Sequence, residues 1–175
     1  MTGLPARCVV DTNVATTANH RNPGASEACA AASGRALQAV VASGHVFIDA
    51  GGRILKEYRT NLLGKGQGGP GTIFLKWLLT NEWVPARVTR VPIAPRETDL
   101  EDFAELPSTK DGVSYDRSDR KFLAVAAAHP EHPPILQALD SKWWGWQVSL
   151  AKCGVTIHFL CPEEIAAKYG QKMGS

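Results

Sequence analysis

Arg7-Cys8-Val9-Val10-Asp11-Thr12-Asn13-Val14 is the stretch on which the fold turns. Residues 7–11 read as a short strand, three apolar residues running straight into an aspartate. An unbroken apolar run suits a strand covered on both faces, as in a parallel sheet, better than one with a wet side. The same pattern recurs along the chain. His45-Val46-Phe47-Ile48-Asp49 is a second such run, and residues 133–139 are a third, followed by Asp140. A fourth strand is predicted over 155–160.

Helical segments separate these runs. Ser26 is a candidate N-cap for an alanine-rich helix reaching Ser43, and Gly44 is placed to end it. In residues 51–63, Ile54, Leu55, Tyr58 and Leu62 fall at spacings of three and four, with Glu57 near the border of that face. Further helices are predicted over 72–83, 98–106, 119–129 and 144–153, and from Pro162 onward; that of 98–106 has an acidic face. Residues 12–25 and 108–118 read as polar loops. Residues 84–93 read as an extended segment that Pro92 and Pro95 confine to an edge or a connection. The glycine-rich link 64–71 contains Gly-Lys without the spacing of a phosphate-binding loop, and reads as a flexible connection. This alternation predicts an α/β fold, three-layer α/β/α, with a mainly parallel sheet of about four to five strands. One domain is expected over 1–175, with a helical and loop elaboration over about 64–115.

Composition narrows the function classes. A net charge of +2 argues against a strongly basic nucleic-acid clamp and leaves room for a local basic rim. No apolar run approaches the ~18 residues of a membrane span. The first residues lack the basic and apolar regions of a signal peptide. A cytoplasmic protein with no membrane partner is therefore expected. Cys8, Cys29, Cys153 and Cys161 form no C-x-x-C pair and lie in apolar segments, so they read as reduced, buried thiols. His129 and His132 sit in a proline-bound turn without further ligands and read as a loop, not a zinc site.

In open parallel sheets, ligands bind beyond the carboxyl ends of the strands. Asp11 and Asp140 stand at such ends, Asp119 opens a helix, and Glu57 lies in a helix that follows another strand. Each has an ordinary reading: Asp119 as a helix cap, Asp11 and Asp140 as loop-entry residues, Glu57 as a solvated helix residue. Taken together they predict a cluster of four carboxylates. Clustered carboxylates repel one another, and Mg²⁺ or Mn²⁺ relieves the conflict through oxygen ligands. Such an ion also activates water and stabilises charge on a phosphate. Asn13 is placed to orient Asp11 or the attacking water. Asp49 and Asp116 are alternative acids, or lie behind the principal ones. Arg117, Arg120 and Lys121 read either as phosphate contacts or as solvated charges. Lys142 with Trp143, and Trp144 and Trp146 beyond, reads either as a cation beside a stacking platform for unpaired bases or as core aromatics.

The ordered set of segments resembles the PIN-domain nucleases. Cys8-Val9-Val10-Asp11-Thr12-Asn13-Val14 is similar to that family's opening strand and first metal-binding aspartate. Ile54-Leu55-Lys56-Glu57-Tyr58 resembles the helix carrying the second acid, and Asp119 with Phe122-Leu123-Ala124-Val125-Ala126 the helix that begins with the third. Leu136-Gln137-Ala138-Leu139-Asp140 resembles the strand ending on the fourth, and Cys161-Pro162-Glu163-Glu164 the closing proline-initiated helix. The resemblance favours Glu57 over Asp49 and Asp119 over Asp116. It implies a Mg²⁺- or Mn²⁺-dependent endonuclease, RNA as the favoured substrate, and Asp11, Glu57, Asp119 and Asp140 as ligands. Many small members of that family are toxins, so an antitoxin or other protein partner stays open, as does a homodimer. The alternatives are an inert PIN-like module that binds RNA or protein, and a DNA nuclease or phosphatase on the same fold.

Overall fold

Cys8, Val9 and Val10 are fully buried in β1 (Arg7–Val10), the central strand of a parallel sheet. β1 pairs with β2 (His45–Asp49) on one side and with β6 (Ile135–Gln137) on the other. β3 (Val88–Val91) continues the sheet beyond β2, and β7 (Ile157–Phe159) beyond β6, giving the order β3-β2-β1-β6-β7 with every pairing parallel. This computed structural model describes residues 3–64, 66, 68–108 and 111–174; Lys65 and Gln67 of the glycine-rich link lie outside them.

The connecting helices are α1 (Thr12–Ala18), α2 (Glu27–Ser43), α3 (Arg53–Leu62), α4 (Pro70–Asn81), α5 (Arg120–Ala128), α6 (Ser141–Lys152) and α7 (Pro162–Met173). The chain steps outward from β1 to β3, then returns to the far side of β1 for β6 and β7. A single crossover hand puts the helices of the two halves on opposite faces, which makes three layers. α1, α2 and α4 pack together, whereas α5 lies against β1, β2 and β6, and α6 against α7. Thus α4 and β3, from the stretch expected to be an elaboration, belong to the central architecture.

Local signals explain most boundaries. The Ser26 hydroxyl accepts from the Cys29 N–H at 3.1 Å, and Gly44 ends α2 by donating to the Val40 carbonyl. A Cβ on Gly44 would stand 2.8 Å from the Val40 Cα, so the close approach excludes larger residues. Two segments differ from expectation. Residues 12–18 are helical, not a polar loop. Their threonines and asparagine give weak helix propensity, but Val14, Ala15 and Ala18 are buried and the Asp11 side chain caps the first turn. Residues 98–106 are not a helix: β4 (Pro95–Arg96) and β5 (Asp99–Phe103) form an antiparallel hairpin. Its acidic residues meet arginines from three places, Asp99 with Arg117 at 2.6 Å, Glu101 with Arg53 at 3.0 Å and Asp102 with Arg96 at 3.2 Å. These pairings answer the charges that mimicked a solvated helix face.

The cysteines also depart from the reduced-thiol expectation. Cys29 and Cys161 form a disulfide that joins the start of α2 to the start of α7 across 132 residues. Cys8 is a free thiol whose pKa burial pushes up to about 12. No helix among the described residues is long and apolar enough to cross a membrane.

Candidate functional site

β1 and β6 are neighbours whose onward connections leave in opposite directions. The carboxyl ends of such a pair open a crevice. Asp11 leaves β1 into it, and Asp140 follows the turn after β6. The buried Tyr58 hydroxyl of α3 donates to the Val10 carbonyl and ties that helix to the end of β1. Asp11 is only 5% exposed, and its Oδ1 accepts from the Asn13 N–H at 2.7 Å. Among the described residues no lysine or arginine forms an ion pair with it. Burial first, then the charge of Asp119, pushes its carboxyl well above the usual range; Glu57 and Asp140 add to this, and the Asn13 N–H opposes it.

Asp119 is 7% exposed and precedes α5, but its side chain makes no capping bond to that helix. Burial lifts its carboxyl to about 6, with Lys142 opposing and Asp140 and Asp116 adding to the rise. The Lys142 Nζ stands 3.2 Å from Asp119 Oδ2 and 3.4 Å from Asp140 Oδ2, and it also touches Asp116. One ammonium therefore bridges three carboxylates. Its partial burial favours the neutral amine, but the three carboxylates outweigh that effect and hold its pKa above the ordinary lysine range. Asp140 also caps α6, since its Oδ1 accepts from the Lys142 N–H at 3.2 Å.

Glu57 and Asp49 separate cleanly. Both oxygens of the fully buried Asp49 are taken by the first turn of α3, at 2.8 Å from Arg53 N–H and 2.8 Å from Ile54 N–H. Gly52 enables that turn with φ of 79°. Glu57 instead faces the crevice: its Oε1 accepts from the Thr12 hydroxyl at 2.6 Å and its Oε2 pairs with Lys121. Lys142 thus gathers Asp116, Asp119 and Asp140, whereas Lys121 and the Thr12 hydroxyl hold Glu57.

Other expected site residues are placed differently. The Asn13 side chain does not orient Asp11; its Oδ1 accepts from the Leu139 N–H at 2.7 Å and braces the turn before Asp140, while its backbone N–H serves Asp11. Trp143 is fully buried in the core beside Trp146, so it presents no face for base stacking. Lys121 is buried, and its ammonium is already engaged by Glu57 and the Ser118 carbonyl. Arg117 is engaged by Asp99 at 2.6 and 2.8 Å, and Arg120 donates to the Tyr115 carbonyl at 3.0 Å. Sequence reading missed Thr12, Tyr58 and Gln137. The side-chain oxygen of buried Gln137 accepts from the Ala138 N–H at 2.9 Å and the Asp140 N–H at 3.4 Å, shaping the same turn. Only Tyr58 carried a signal, because a tyrosine on an apolar helix face needs a partner for its hydroxyl.

No family model matches the chain, and neither does any curated protein or any solved structure. As the side chains stand, no group of three or more His, Cys, Asp or Glu among the described residues closes on one metal position. The donor set nevertheless suits a hard cation: it is all carboxylate oxygen, and Asp11 is buried without a counter-charge among the described residues. A groove of about 340 Å³ opens beside Glu57, lined by Arg53, Lys56, Thr60, Asn61, Glu101 and Lys121.

Proposed function

We propose that this chain is a divalent-cation-dependent nuclease of the PIN type that hydrolyses phosphodiester bonds in single-stranded RNA. The observation that carries the reading is Asp11. A carboxylate buried at the sheet's switch point, with Asp119, Glu57 and Asp140 around it and no cation of its own among the described residues, is costly in a purely structural role. Asp11, Asp119, Asp140 and Glu57 would hold Mg²⁺ or Mn²⁺. When bound, the ion would supply positive charge to the phosphate and lower the pKa of water.

The chain's own residues do the positioning. The Asn13 N–H fixes one oxygen of Asp11, and the Thr12 hydroxyl fixes one oxygen of Glu57. The Asn13 side chain and Gln137 hold the turn that presents Asp140. The groove beside Glu57 offers room for a strand of substrate, and Lys56, exposed and without an ion pair among the described residues, supplies a phosphate contact.

The test is cleavage of single-stranded RNA by purified protein with Mn²⁺, Mg²⁺ or EDTA, alongside Asp11→Asn and Asp140→Asn. Cleavage by wild type alone, abolished by EDTA, is the expected result. Equal cleavage by both variants would sink the site. Single-stranded DNA, flapped DNA and a phosphomonoester in the same panel separate the DNA nuclease and phosphatase alternatives. The lysine partners of Glu57, Asp119 and Asp140 favour a second reading, an RNA- or protein-binding module without catalysis. RNA binding with no response to Mn²⁺ would select it.

A further inference from the structure

Among the described residues two lysines reach the acidic crevice, and they differ in one respect. The Lys121 side chain is 7% exposed and enclosed by Glu57, the Ser118 carbonyl and the ring of Phe122. The Lys142 side chain is 37% exposed although its ammonium contacts Asp116, Asp119 and Asp140. Lys121 cannot leave without stranding a charge in the interior. Lys142 lies at the start of α6, and a rotation of its flexible stem carries the ammonium into water.

We propose that Lys142 is a built-in counter-ion of the acidic site, which neutralises Asp119 and Asp140 in the metal-free protein and must withdraw before a divalent cation can bind. The inference rests on the metal-dependent reading above and adds to it a residue that sets metal affinity. Its physical basis is competition. The oxygens that Lys142 contacts on Asp119 and Asp140 belong to the carboxylates assigned to the metal, and an ammonium and a dication cannot share them without repulsion. Asp116 has a defined part as well. It is half-exposed and not among the carboxylates assigned to the metal, so it offers Lys142 a contact that does not compete with the metal. Lys142 therefore acts as a positioning residue, not a catalytic one. Removing its charge leaves the carboxylates unneutralised in the metal-free state and raises their affinity for an incoming cation.

The experiment is calorimetric titration of Mn²⁺ into wild type, Lys142→Met, Lys142→Gln, Lys142→Arg and Asp11→Asn, with circular dichroism to verify folding. Both neutral variants should bind Mn²⁺ at least about tenfold more tightly than wild type, equivalent to about 1.4 kcal/mol. Lys142→Arg should stay within about threefold, because it keeps the charge. Two neutral replacements of different polarity guard against failure of either one to fold. A smaller gain or a loss in the neutral variants overturns the proposal, and so does an equal gain in Lys142→Arg. Asp11→Asn separates this outcome from failure of the underlying reading. If it binds Mn²⁺ as wild type does, or if wild type and the neutral variants show no binding at all, the metal site itself is wrong.

Discussion

Replacing Asp119 with asparagine should make the metal-free protein more stable and less able to act. In the native state its carboxyl is lifted from 3.8 to about 6, chiefly by burial. The folded chain therefore holds a proton that the unfolded chain releases near pH ~4. Below that pH both states are protonated and the shift contributes nothing. Between about 4 and 6 the native state binds more protons, so stability falls as pH rises, and above about 6 the full cost is in place. A shift of roughly two units corresponds to about 3 kcal/mol at most. Asparagine has the same shape and no charge to bury. No helix cap is lost, because the Asp119 side chain makes none, and Lys142 keeps Asp116 and Asp140 as partners. Urea unfolding in EDTA should therefore show Asp119→Asn ahead of wild type by ~1–3 kcal/mol near pH 8, with the difference shrinking toward zero near pH 4. A variant less stable than wild type by more than about 1 kcal/mol near pH 8, or a difference that ignores pH, would refute the view that a strained carboxylate sits there.

Asp49 and Glu57 should respond oppositely to substitution. Asp49→Ala frees two N–H groups at the start of α3 and should cost about 1–2 kcal/mol in urea unfolding while leaving Mn²⁺ affinity unchanged. Glu57→Gln should weaken Mn²⁺ binding by about tenfold with a smaller effect on stability, and the reverse pattern in calorimetry would exchange their roles. Reducing the Cys29–Cys161 bond, which closes a loop of 132 residues, should lower stability by about 2–4 kcal/mol, and Cys29→Ser should match reduced wild type. Identical unfolding curves with and without dithiothreitol would show that the bond contributes nothing.

The strand runs at Val9, Phe47 and Leu136, the Ser26 cap, the Gly44 stop and the helix face of Ile54, Tyr58 and Leu62 could all be read from residue order. Periodicity, capping and unbroken apolar runs act over a few neighbouring residues, so they are written locally and predict a parallel α/β sheet. The acidic ends of its strands were legible for the same reason. Where local signals were weak or ambiguous, long-range packing overrode them. Helix α1 formed from poor helix formers because its apolar side is buried, and the acidic stretch at Asp99 became a hairpin because arginines distant in sequence met it. Trp143 went to the core and Lys121 into a buried ion pair, although both sit beside acids in the sequence. The Thr12–Glu57 bond, the Lys142 bridge from α6 to Asp116, and the Cys29–Cys161 bond each join residues between 26 and 132 positions apart. No local pattern encodes such pairs. Residue order identifies the acids at the strand and helix ends; the packing of the layers brings them together around Asp11 and places the ammonium of Lys142 among them.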